Sequence, residues 1–280
     1  MNNQAARLIE LLQLEKKEKR TNNAKVISVA SGKGGTGKTF FASNFAYSLS
    51  KEGKKILLID FDFNLSNLNI VLNQKSENAL SEFFEQKKSI EEIIQPYSQN
   101  LHLIYGDSGN EFFPKLSKEI IDYFFVSLNK ITSQYDFIVI DSAAGANELT
   151  LRQLINSDFL ILITTPEPTA IMDAYVLTKL LISENFSIQK FVVVNKCTSK
   201  DEGENSFQNL SAACKHFLND EPTKLGTISF DILVHQSIVN QELLIENSSE
   251  SKAANEIIDI SKKFIEFAQV ANNNQSKISR

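Results

Sequence analysis

The stretch "VISVASGKGGTGKTFFASNF", residues 26–45, constrains this chain more than any other. An apolar run leads into G-x-x-x-x-G-K-T at Gly32–Thr39, and a helical pattern follows. Strand, glycine-rich loop and helix in that order are what a phosphate-binding loop requires. The glycines let the backbone curl so that its N–H groups point inward at phosphate oxygens. The start of the helix adds its dipole. Lys38 is expected to reach the β- and γ-phosphates of a nucleotide, and the Thr39 hydroxyl to ligate Mg²⁺. Gly32, Gly34, Gly35, Thr36, Gly37 and Phe40 complete the expected cradle. A second lysine, Lys33, sits at the other end of the loop, where the ordinary motif has no need of one.

The rest of the chain repeats the strand–helix alternation. "VISVAS" precedes a helix over 38–51, and "KILLID" precedes one over 79–94 after a loop. "LHLIY" is followed by a helix at 117–132, "FIVIDS" by 147–156, "FLILITT" by 168–184, and "KFVVVN" by 204–218. "LGTISF" then leads into two closing helices. Continuous apolar runs suit strands buried on both faces, and the repetition implies an α/β fold with a mostly parallel sheet wrapped by helices on both faces. Ile120, Ile121, Phe124, Phe125, Leu128 and Ile131 form a helical stripe read as core. Residues 1–23 stand apart: Ala5, Leu8, Ile9 and Leu12 recur at helical spacing, and "EKKEKRTNN" reads as a linker. The remainder is one domain, residues 24–270, followed by a polar tail, 271–280.

Three carboxylates are expected on the same rim as the loop. Asp60 and Asp62 end one strand and share a side at period two, while Asp141 ends "FIVID" as a Walker-B-like carboxylate. The carboxyl ends of parallel strands gather in one crevice, where ligands bind. Mg²⁺ takes only one or two protein carboxylates. Thr39, Asp60 and Asp141 are therefore assigned to the metal, and Asp62, beyond the strand end, to orienting the attacking water.

Composition excludes several other roles. Net charge is −5 with pI about 5.4, which argues against strong nucleic-acid binding. Cys197 and Cys214 match no zinc or redox spacing, and no apolar run of about 18 residues exists to span a bilayer. With no signal peptide visible, the protein is expected in the cytoplasm, with at most peripheral association at the membrane or a cell pole.

"KGGTGKT" resembles the deviant Walker A motif of the MinD/ParA ATPases. The resemblance implies that Lys33 crosses a dimer interface and contacts the partner subunit's ATP phosphates, so that ATP and Mg²⁺ drive homodimerisation. "VIDSAAGANELT" and "TTPEPTAIMDAYVLTKLL" are similar to the flagellar branch, FlhG (also called FleN or YlxH). "VVVNK" resembles the strand end whose asparagine, here Asn195, hydrogen-bonds adenine, and "LGTISFD" the segment, ending here in Asp231, that walls the base. The similarity runs from about residue 25 to about 270.

By resemblance, the chain is expected to regulate flagellar number or placement, with the SRP-type GTPase FlhF and flagellar switch or regulatory proteins as partners. The alternatives are a spatial-positioning ATPase for another cargo and a small-molecule ATP-dependent enzyme on the same fold. "NQAARLI" resembles the D-Q-A-x-x-L-R helix by which the branch stimulates FlhF, but Asn3 and Ile9 replace both charged positions; self-docking of this segment is the equal alternative. Ile257, Ile258, Phe264, Ile265 and Ala268 read as core packing rather than a membrane-binding helix.

Overall fold

The computed structural model describes residues 24–62, 66–75, 78–106, 116–184 and 186–278, with side chains up to residue 271. The N-terminal helix and linker expected over residues 1–23 lie outside them. The strands are β1 (Lys25–Ala30), β2 (Ile56–Phe61), β3 (Gln95–Ser98), β4 (Leu101–Ile104), β5 (Phe137–Ser142), β6 (Phe159–Thr164), β7 (Gln189–Cys197) and β8 (Thr223–Ser229). They form one sheet in the order β3-β4-β2-β5-β1-β6-β7-β8. Every pairing is parallel except β3 with β4.

The helices are α1 (Lys38–Lys51), α2 (Leu68–Val71), α3 (Leu80–Phe84), α4 (Lys118–Asn129), α5 (Glu148–Leu154), α6 (Pro168–Ser183), α7 (Lys200–Leu218), α8 (Ile232–Asn240), α9 (Leu244–Asn247) and α10 (Lys252–Ile278). Alternation along the strands divides the core. Ile27, Val29, Ile56, Leu58, Val139 and Val193 face α1 and α10. On the opposite face Val26, Ile59 and Ile140 meet α3 and α4, while Ala30, Leu162 and Val194 meet α5, α6 and α7. Burial on both sides explains why these strands read as unbroken apolar runs. Phe264 of α10 is fully buried, with the rings of Phe45, Phe137, Phe159 and Phe191 at centroid distances of 5.5, 5.7, 5.4 and 5.7 Å. Ile257 and Ala268 are buried beside it and Ile265 packs on the same cluster, so this stripe is core, as its spacing implies.

Three local readings need correction, and one strand, β3, was not read from sequence. The helix expected over 79–94 is two short pieces, α3 and a single 3₁₀ turn at Glu91–Ile93. Gln86 adopts φ of 59° and ends the first piece, yet Leu80, Phe83, Ile90 and Ile93 all reach one core cluster, which is why their spacing mimicked a single helix. β3 contains Pro96 and is a short edge strand, the place in a sheet that tolerates proline. α7 starts at Lys200 rather than 204, because Ser199 accepts from the Glu202 amide at 3.1 Å and caps the helix there. The closing segment holds three helices, and the last runs to Ile278 through the expected polar tail.

This topology positions the site. β1 lies between β5 and β6, so the chain leaves it in one direction along the sheet and returns on the other side. The crevice at the carboxyl ends of strands at such a switch point is where α/β sheets bind ligands. The phosphate loop leaves β1 at that point.

Candidate nucleotide site

The floor of the site is charged and closed from water. Lys38, in the first turn of α1, donates to Asp141 Oδ1 at 2.7 Å. Thr39 Oγ1 donates to Asp141 Oδ2 at 2.6 Å. The side chains of Lys38 and Asp141 are 8% and 1% exposed. Asp60 is the register partner of Asp141 across β2 and β5. Its carboxylate accepts from Ser66 Oγ at 2.7 Å and from the amides of Asp62, Asn67 and Leu68 at 3.1, 3.2 and 3.1 Å. Burial, and then the neighbouring Asp141 charge, push its carboxyl up to about 6, against the pull of these donors. Two adjacent buried carboxylates, one of them paired with the Lys38 ammonium, carry net negative charge of the kind that suits a divalent cation. Asp62 sits half-buried, one residue beyond β2, on the same rim.

The loop itself is held from three sides. A Cβ on Gly32 would lie 2.3 Å from the Asp173 carbonyl carbon of α6, so only glycine lets α6 approach this closely. Gly37 has φ of 88°, and a Cβ there would lie 2.3 Å from Asn195 Nδ2. The Gly145 amide, in the loop after β5, donates to the Ser31 carbonyl at 3.0 Å. The Thr36 hydroxyl is buried without a hydrogen-bond partner, a donor that a bound anion would satisfy. No group of three His, Cys, Asp or Glu side chains able to hold a metal unaided occurs among the described residues.

Lys33 is on the rim instead. Its Nζ donates to Glu167 Oε2 at 2.5 Å and to Thr169 Oγ1 at 3.1 Å, where Pro168 opens α6. The Lys33 and Glu167 side chains are 32% and 64% exposed. The Lys33 hydrogen bond and charge, with Lys196 adding a smaller share, hold the Glu167 carboxyl below its ordinary value.

The structure thus brings Lys38, Thr39, Asp60, Asp62 and Asp141 together with the loop glycines, sets Asn195 against the loop, and leaves Lys33 paired with Glu167 and Thr169 on the rim. Phe40 offers only its backbone, because its ring is in the core. Asp231 stands at the start of α8, where its carboxylate serves two helices. It caps α8 through the Leu233 amide at 2.9 Å and ties in the start of α10 through Ser251 Oγ at 2.7 Å and the Ala253 amide at 3.3 Å. Glu167, Thr169 and Lys196 were not identified as site residues from sequence. The first two lie within "TPEPT", whose proximity to Lys33 exists only once α6 is folded against the loop. Both cysteines are free and buried, and no described helix is long and apolar enough to cross a membrane.

Comparison with known proteins agrees with this geometry. Residues 24–191 match the family model described as an AAA domain. The flagellum site-determining protein YlxH of Helicobacter pylori is 33% identical over 249 residues, covering 87% of this chain and 84% of that protein. The antiactivator FleN of Pseudomonas aeruginosa is 28% identical over 229 residues, covering 82% of each. Among solved structures, the Pyrococcus horikoshii septum site-determining protein MinD complexed with Mg-ADP superposes with a TM-score of 0.72 at 23% identity, covering 88% of this chain and 98% of that one. The chain is an ATPase and belongs to the MinD/ParA family of deviant Walker A proteins, in the branch of YlxH and FleN.

Proposed function

We propose that this ATPase is a dimerising switch that acts in the cytoplasm on flagellar number or placement. The observation that carries the reading is the division of labour between the two loop lysines. Lys38 is committed to the buried floor, whereas Lys33 rests on an exposed, exchangeable ion pair at the rim. An exposed pair of this kind is worth at most about 1 kcal/mol, so Lys33 can leave Glu167 for a stronger anion.

In this reading Lys38 and the loop amides bind the β- and γ-phosphates. Thr39 and Asp141 hold Mg²⁺, with Asp60 adding charge behind them, and the metal neutralises the phosphate charge when bound. Asp62 orients the attacking water. Lys33 of each subunit reaches the nucleotide of the other, so the triphosphate joins two copies and hydrolysis lets them part. The similarity to the flagellum site-determining protein YlxH, 33% identical over most of both chains, supports assigning a flagellar process. FlhF and flagellar regulatory proteins follow as partners from the resemblance of the N-terminal segment and of the branch. Neither strong nucleic-acid binding nor firm membrane anchoring is part of the proposal.

The test is the dependence of ATP turnover on protein concentration. Turnover per molecule should rise with concentration and level off once the dimer is full. A turnover that is constant over a hundredfold range beginning at nanomolar protein would mean that each site works alone.

A further inference from the structure

In an extended strand, successive side chains point to opposite faces, so Asn195 and Lys196 of β7 should not reach the same place. They do so because Lys196 adopts φ of 59°, a left-handed conformation that non-glycine residues rarely enter. The pairing of β7 with β8 shifts register at this point, and Asn195 Oδ1 accepts from the Lys196 amide at 2.8 Å. With the strand turned in this way, Asn195 Nδ2 donates to the Thr36 carbonyl at 2.8 Å. Lys196 Nζ donates to the Gly35 carbonyl at 2.7 Å. Two consecutive carbonyls of the phosphate loop are thus held from one side by two consecutive residues of β7.

A trans peptide keeps its C=O and the following N–H antiparallel. Drawing the Gly35 and Thr36 carbonyls toward β7 therefore aims the N–H groups of Thr36 and Gly37 away from it, into the loop. We infer that Asn195 and Lys196 act as a two-point clamp that presets these two donors for phosphate, making Lys196 a positioning residue for the nucleotide. Backbone strain held by surrounding bonds is typical of such preorganised sites. The inference rests on the nucleotide-binding reading of the loop, and it gives Asn195 a task independent of the base.

Calorimetric titration with Mg-ADP and with Mg-pyrophosphate tests it. Lys196→Gly tolerates the left-handed turn and removes the side chain with its ammonium. It should weaken both ligands by about tenfold, the size of a lost charge-assisted hydrogen bond, while the melting temperature of the nucleotide-free protein stays put. Lys196→Arg should recover most of the loss. Asn195→Ala should weaken pyrophosphate as well as ADP, which a residue reading only adenine cannot do. The Lys196→Gly loss should persist in about 0.5 M salt, where simple attraction between exposed charges is screened.

Wild-type affinity in Lys196→Gly, a loss confined to ADP, or a loss that vanishes in salt would each overturn the clamp while leaving the ATPase reading intact. A wild-type protein that binds neither ligand would overturn both.

Discussion

Lys38 and Lys33 belong to one loop and live under opposite physical regimes. At the floor, Lys38 faces Asp141 with Asp60 alongside, all three buried. Ions in such surroundings lose their hydration, and their mutual attraction only roughly repays that loss, so removing one partner strands the others. At the rim, Lys33 and Glu167 remain in contact with water, and their pairing is weak and reversible. The difference teaches how one short loop can carry one cation locked into the core and another left at the surface. Its inner cation is fixed by the fold, and its outer cation is free to change partners without disturbing the core.

The largest effect should come from the floor. Lys38→Ala leaves Asp141 beside Asp60 with no ammonium, and should cost about 3–5 kcal/mol of stability in the nucleotide-free protein. It should also abolish binding of Mg-ADP. Urea unfolding and calorimetry measure the two losses, and a variant as stable as the wild type would break the contrast drawn above.

Asp62 sharpens it further, since it is on the floor side of the rim but outside the buried cluster. Asp62→Ala should retain nucleotide and lower turnover by roughly 10²–10⁴, the usual worth of a positioned proton acceptor. Single-turnover hydrolysis after confirmed ATP binding separates those outcomes; loss of binding instead of turnover would move Asp62 into the metal site.

A smaller effect is expected at Asp231. Its loss removes caps from α8 and α10, and Asp231→Ala should cost about 1–2 kcal/mol, with Asp231→Asn costing less because one acceptor oxygen survives. Burial pushes this carboxyl up, but the Ser251 hydroxyl and the Leu233 and Ala253 amides outweigh it and hold the group below its ordinary value. A depressed carboxyl stabilises fully above the unfolded value of about 4, and that stability is lost as pH falls through the folded value. At low pH the protonated Asp231 keeps one acceptor oxygen, as asparagine does, so the wild type should converge with Asp231→Asn while Asp231→Ala stays the least stable.

The loop, the sheet and the three rim aspartates were legible because each rests on local pattern: a glycine motif, unbroken apolar runs, acids at strand ends. What sequence missed depends on the chain turning where its pattern says continue. Gln86 breaks a helical stripe, and Lys196 breaks strand alternation so that its side chain joins that of Asn195 on the loop. Glu167 and Thr169 belong to the site only because α6 packs on Gly32. The Asp231 carboxylate serves two helix starts about twenty residues apart in sequence, a pairing that no local pattern signals.

The central claim is that Lys33 trades Glu167 for the nucleotide of a second copy. Light scattering of the full chain in Mg²⁺ with a non-hydrolysable ATP analogue, beside the same protein in ADP and beside Lys33→Ala with the analogue, tests it most directly. The account predicts a dimer for the wild type with the analogue and a monomer in ADP. Lys33→Ala should remain monomeric with the analogue bound, since Lys38 and the loop amides are untouched. A Lys33→Ala protein that dimerises as the wild type does, or a wild type that stays monomeric with the analogue bound, would contradict it.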